Sequence, residues 1–379
     1  MKYAQRLPLA LFAAGVVMNG YAYFTAPERA WSNLLVDGFF VASLGISAAF
    51  FAATQRLSGA RWSAGLRRIP EALMLTLPIG AVLLGAVFLG RHALYPWAAP
   101  GGLDGEPAFA GKHGVLQAPF FLARMVVIFA IWIAFAWSYR RISLAEDRDP
   151  GAGARYARRL DRWAGIFVPV FALTFTVAAS DWLLSLEPHW SSTLFAVYVF
   201  AGMFVQGIAA LTLATVALQA KGLLDDEAIG ASLHDLGKLL FAFSTFWAYL
   251  WVCQYLLIWY GNIPDEVGLY AVRTSEPWLP VSLANLAVNW ILPFCILRPV
   301  RAKRTPGVLA GVSVLLLCGR CLDLNLLVMP AKSAAPELGP IEIVMAIGCF
   351  ALVYLSVVGW LFRAQPVPLL ARQRRAPCA

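Results

Sequence analysis

The chain has 379 residues, of which 60% are hydrophobic and only 13% charged, and its formal net charge is +9 at neutral pH. Its apolar runs are too long for the core of a soluble domain. Lipid offers the backbone no hydrogen-bond partner, so runs of ~20 residues read as membrane-spanning helices and not as barrel strands of ~10.

Ten segments reach that length, near 7–26, 35–54, 71–90, 115–138, 163–186, 192–219, 236–260, 278–298, 307–329 and 341–363. The first follows MKYAQR and has the grammar of a secretory signal as well as of a retained helix; retention as a tenth helix is the reading adopted. The basic residues then follow topology. Of 30 Lys and Arg, 23 fall in the N-terminus, alternate connections and the tail, on one side of the spans. Five, Arg29, Arg91, Lys112, Arg273 and Lys332, fall on the other, and Arg124 and Arg320 lie within spans. Such asymmetry predicts a multi-pass protein with both termini in the cytoplasm, and makes the basic loops orientation signals instead of a nucleic-acid surface.

Long outer connections at 91–114 and 261–277 follow the third and seventh segments, and a short turn, SDWLLSLEPHWSS, follows the fifth. Asp181 and Pro188 in DWLLSLEP recur at the same spacing as Asp323 and Pro330 in DLNLLVMP. An even-numbered repeat keeps its orientation, so the expected fold is all-α, with two parallel-repeat four-helix bundles at 35–188 and 192–330. One helix precedes them, within 1–34, and one follows with a basic tail, within 331–379. The outer aromatics, among them Tyr95, Trp97, Trp182 and Trp190, fit an interfacial belt.

Cofactors are not expected. His92, His113, His189 and His234 fall in loops or at helix ends, where they cannot ligate a transmembrane haem. CGRC at 318–321 has the gap of a redox or metal pair, but it lies within an apolar span without a second pair, which favours packing cysteines.

Ionisable groups inside a span cost ~3 kcal/mol or more on insertion scales and often mark a pathway. Arg124, Asp181, Glu187, Arg320 and Asp323 stand out. Arg124 on the fourth segment can approach Asp181 on the fifth, and Arg320 and Asp323 are three apart on one helix. Two ion pairs that pin helices are one reading. The other is a series of protonatable groups that reaches the outer surface through Glu187 and His189. On the seventh segment Lys238, Thr245, Tyr249 and Cys253 share one helical face, with His234, Asp235 and Glu71 at the expected inner mouth. That stripe can hold water, or its hydroxyls can bond their own backbone.

DWLLSLEPHWSSTLFAVYVFAG, HDLGKLLFAFSTFWAYLWVCQYLLIWYGNIPDE and GRCLDLNLLVMP together resemble the F subunit of bacterial alternative complex III, of the polysulfide-reductase membrane-subunit type. The resemblance covers roughly 112–330. Matching positions include Arg124 in PFFLAR, Asp181, Glu187, Pro188, His189, Gln254, Asp323 and Pro330; Cys321 departs from the aromatic or bulky residue expected there. It implies ten helices in the bacterial cytoplasmic membrane and a subunit of a quinol:cytochrome c, or quinol:oxidase, oxidoreductase. Such a subunit has no redox centre of its own and provides a proton path or a quinone-side surface. The implied partners are a quinol-binding paralogous membrane subunit, an iron-sulfur subunit and multihaem cytochrome c subunits, which carry the haems and clusters. A secondary transporter and a structural scaffold are the rival readings.

Overall fold

The computed structural model describes residues 6–101, 114–224 and 226–363. Residues 102–113 of the 91–114 connection, His113 among them, and the tail beyond 363 lie outside them. The described residues are helical, with no strand, and ten helices are long and apolar enough to cross a membrane.

They are α1 (Arg6–Thr25), α2 (Pro27–Leu57), α3 (Arg68–Leu89), α4 (Ala118–Arg148), α5 (Gly153–Trp182), α6 (Phe195–Ala220), α7 (Asp226–Gly261), α8 (Leu279–Leu297), α9 (Pro306–Val328) and α10 (Pro340–Arg363). Every expected segment has its helix, and the corrections are at the ends. α2 begins at Pro27, eight residues before the expected start, because proline suits a first helical turn. α7 begins at Asp226, ten residues early, and the connection after it contains a short amphipathic helix, Pro264–Thr274.

α2 and α6 are apolar around their circumference and form the buried centre. α2 packs on α3 and α5, α6 packs on α7 and α9, and the two central helices pack on each other. α5 also reaches α6, and α9 reaches α2. α4 pairs with α3 and α5 as α8 pairs with α7 and α9. α1 and α10 lie together beside α2, and their backbones meet where a Cβ on Gly15 would sit 2.7 Å from the Gly348 Cα. Small residues serve this purpose between helices in lipid, where close van der Waals contact replaces the hydrophobic drive.

Two helices are irregular. α3 breaks between Leu73 and Thr76, and α8 carries a π-helical turn at Ala287–Ile291.

Candidate functional site

Two ion pairs lie near the same end of the helices. Asp181 is the penultimate residue of α5, and Arg124 on α4 clamps its carboxylate with Nε and Nη2 at 2.6 and 2.9 Å. Arg124 Nη1 also donates to the Val115 carbonyl at 2.9 Å, and its guanidinium lies over the Phe120 ring. The Tyr95 hydroxyl, from the connection after α3, donates to the Trp182 carbonyl at 3.1 Å and closes the end of α5. Burial pushes this hydroxyl above the ordinary tyrosine range, with Asp181 adding to the effect, so it stays a donor.

The second pair is deeper and more enclosed. Asp323 and Arg320, each 1% exposed, bond to each other on α9. Asp323 lies five residues before the end of α9, roughly 8 Å in. The other Asp323 oxygen accepts from Tyr198 on α6 and, at 2.9 Å, from Asn285 on α8. Asn289, inside the π-helical turn, donates to the Asn285 Oδ1 at 2.7 Å and to the Gly319 carbonyl at 2.9 Å. The turn thus aims a second amide at α9; such bulges often serve a site. The guanidinium of Arg320 fills the space beside Gly202 of α6, where a Cβ would lie 2.1 Å from Nη1.

A cavity of about 40 Å³ opens onto Asp323, lined by Tyr198, Gln254, Tyr270, Arg273, Ser282 and Asn285 among others. That is room for a few waters at ~10–15 Å³ each. Arg273, on the short helix after α7, donates to the Leu326 carbonyl at 3.0 Å and closes the end of α9 as Tyr95 closes α5. Burial lowers the Arg273 pKa against the pull of Glu187, and raises that of Tyr270 against the pull of Arg273.

At the opposite end Glu71, fully buried near the start of α3, accepts from Arg68 and from Ser143 of α4. Beside it a cavity of about 410 Å³ is lined by Arg56, Arg67, Arg68, Tyr139, Ser143, Glu146 and Asp161, among others. Arg67 pairs with Glu146 and Asp147, Arg68 with Asp147, and Arg56 with Asp161 at 2.8 Å, so many basic loop residues tie helix ends together.

The remaining candidates divide. Glu187 is half-buried, and the cations that feel its charge are Arg273 and Lys332. His189 is exposed. On α7, Tyr249 is 60% exposed and Lys238, paired with Asp235, is also exposed, so this face turns away from the packed centre of the chain. Thr245 returns its hydroxyl to the Phe241 carbonyl at 2.9 Å, and Cys253 is half-buried. His234 lies among Arg304, Lys238, Asp235 and Lys303, whereas Glu71 stands with Arg68 and Ser143 and is not at this mouth. Helical phase showed that the four residues share a face, but could not show which way that face points.

The sequence reading missed Tyr198, Gln206, Asn285 and Asn289. It also passed over Asp37, which lies inside the expected 35–54 segment and, with α2 starting at Pro27, ten positions into the helix. A signal for Asn285 was present. APFFLAR opens α4 and LPVSLAN opens α8, with Pro, Leu and Ala at matching places and Asn285 where the first motif has Arg124.

Among the described residues no group of three or more His, Cys, Asp or Glu is placed to hold a metal ion. No family model matches the chain, and no curated protein matches it.

Proposed function

We propose that this chain is a multi-pass subunit, without a redox centre of its own, of a quinol-oxidising respiratory complex in the bacterial cytoplasmic membrane, and that it conducts protons. The observation that carries the proton role is the pair of cavities at opposite ends of the helices, one lined by Arg68 and Ser143, the donors that hold the buried Glu71, and one opening on Asp323. Each brings water-sized space to a buried carboxylate or to the side chains that bind it. Lipid-embedded carboxylates cost enough that such an arrangement favours a pathway over simple packing.

The fold supports a duplication of two four-helix units, α2–α5 and α6–α9, flanked by α1 and α10. The main helix pairings of the first unit have counterparts in the second, the α4 and α8 openings share a motif, and each unit ends in an Asp bound by a neighbouring helix. The quinol-oxidising context rests on the resemblance of the DWLLSLEPHW, HDLGKLL and GRCLDLN motifs. The implied partners are the quinol-binding membrane paralogue, the iron-sulfur subunit and the multihaem cytochromes. Both termini face the cytoplasm in this reading, which makes the Glu71 cavity the inner one.

A secondary transporter fits less well, because the two helical irregularities, in α3 and α8, do not occupy corresponding places in the two units. A scaffold would need the ion pairs but not the cavities.

The test has two parts. Affinity purification of the tagged chain from its native membrane is expected to bring down multihaem and iron-sulfur subunits with quinol oxidase activity; their absence would overturn the assignment to that complex. In the assembled complex, Asp323→Asn and Glu71→Gln are expected to lower protons released per electron. An unchanged ratio and rate would leave the scaffold.

A further inference from the structure

Between the two cavities the core is not uniformly apolar. Arg320 uses Nη1 on Asp323, while its Nε and Nη2 are buried without a hydrogen-bond partner among the described residues. Buried donors left unpaired cost as much as a lost hydrogen bond or more, and a charged donor costs most. The guanidinium lies against Gly202 of α6. One turn further along that face stands Gln206, fully buried, whose Nε2 donates to the Phe40 carbonyl of α2 at 2.8 Å. Its Oε1 is an acceptor without a partner among the described residues. Ser47 of α2, also fully buried, has its Oγ against Gly207 and is likewise unpartnered.

Unpaired donors from α9 thus lie about one helical turn from an unpaired acceptor on α6, with an unpaired hydroxyl next along from α2. Donors and acceptors so grouped are what a bound water joins, since it accepts from one side and donates to the other. The glycines at 202 and 207 let the Arg320 guanidinium and the Ser47 hydroxyl come against the α6 backbone.

We propose that the junction of α2, α6 and α9 is a binding site for ordered water, held by Arg320, Gln206 and Ser47, and that this water joins the Asp323 side of the chain to the Glu71 side. The inference rests on the proton route proposed above and gives it a direction: the path enters through one four-helix unit and leaves through the other, with α6 as the shared wall. α6 carries Tyr198 on Asp323, Gly202 on Arg320 and Gln206 in succession, and it also touches the first turns of α3, where Glu71 lies. At each transfer one O–H bond breaks as the next forms: the junction water takes a proton from the Asp323 side and releases one through the Ser47 hydroxyl toward the Glu71 side, while Arg320 and Gln206 hold the water and keep their own protons.

The experiment is a structure of the full chain in lipid nanodiscs at a resolution that shows ordered waters, for the native protein and for Gln206→Leu. Native density at ~3 Å from both Arg320 and Gln206 is expected, and lost in the variant. A dry junction, or Arg320 bonded directly to Gln206, would overturn the site. Proton flux into vesicles carrying the native assembly is then compared for Gln206→Leu, Asp323→Asn and Glu71→Gln. All three are expected to fall ~10-fold or more, as for loss of a relay group. If Asp323→Asn and Glu71→Gln fall while Gln206→Leu keeps native flux, the junction water is refuted and the proton reading stands. If none falls, both are refuted. Gln206→Glu, which restores an acceptor, is expected to recover flux; failure of every Gln206 variant to assemble would show a packing role and would also overturn the proposal.

Discussion

Asp323→Asn is the sharpest perturbation of the buried network. The Asn Oδ1 can still accept from Tyr198 and Asn285, so those contacts persist. The other oxygen becomes an NH₂ that faces the Arg320 guanidinium, donor against donor. Arg320 is 1% exposed and has no other partner among the described residues, so the cation is left buried without compensation. Breaking a buried pair in this way costs about 3–5 kcal/mol. The equivalent change at Asp181 should cost less, about 1–3 kcal/mol, because Arg124 keeps the Val115 carbonyl and the Phe120 ring. Equilibrium unfolding of the purified chain in mixed detergent, followed by the fluorescence of its 14 tryptophans, measures both. Adding Arg320→Met to Asp323→Asn removes the orphaned cation and should recover about 2 kcal/mol as a coupling energy. A cost below ~1 kcal/mol for Asp323→Asn would refute the reasoning, as would a double variant no more stable than the single.

Gly202→Ala places a Cβ 2.2 Å from the Arg320 Cζ, so it should destabilise by about 1–3 kcal/mol in the same assay. A neutral effect would mean the guanidinium has room elsewhere. Cysteines introduced at positions 150 and 268 of a strain-expressed full chain should label from outside intact cells at 268 only; the reverse pattern would invert the orientation. The purified chain, freed of partners, should show no Soret band and no stoichiometric iron, since His92 and His189 are at the periphery and His234 lies in a basic cluster. Either signal at one per chain would refute the cofactor expectation.

The ten long helices were legible because an apolar run of ~20 residues has few alternatives to a helix. Arg320 with Asp323 was legible for a similar reason, since residues three apart on a helix must meet. Arg124 with Asp181 needed only that consecutive helices be neighbours. Gln206, Tyr198 and Asn285 were not legible as a site, because neutral polar side chains in a span are common and nothing local says which pair across helices. The direction of the α7 stripe was not legible for the complementary reason. Periodicity gives a face, but only packing gives its direction, and α6 and the α8 turn cover the other side of α7.

In the duplication proposed above, the two units meet one electrostatic demand in two ways. In the first, the Arg comes from α4, so the Asp181 pair locks two helices and spends its donors locally. In the second, the corresponding place on α8 holds Asn285, and the Arg has moved to α9 itself, one turn below its Asp. Ala178 stands at that position in the first unit. α8 is thus bound by neutral amides, extended to Asn289 through the π-helical turn, and the Arg320 Nε and Nη2 have no partner among the described residues. An Arg devoted to pinning would be better placed where all its donors find carbonyls, as Arg124 comes closer to doing. On the reading proposed above, the first pair is the one whose donors are spent on protein groups and the second the one that leaves Arg320 donors for the proposed junction water, which reverses the emphasis that the SDWLLSLEPHWSS stretch suggests on sequence alone.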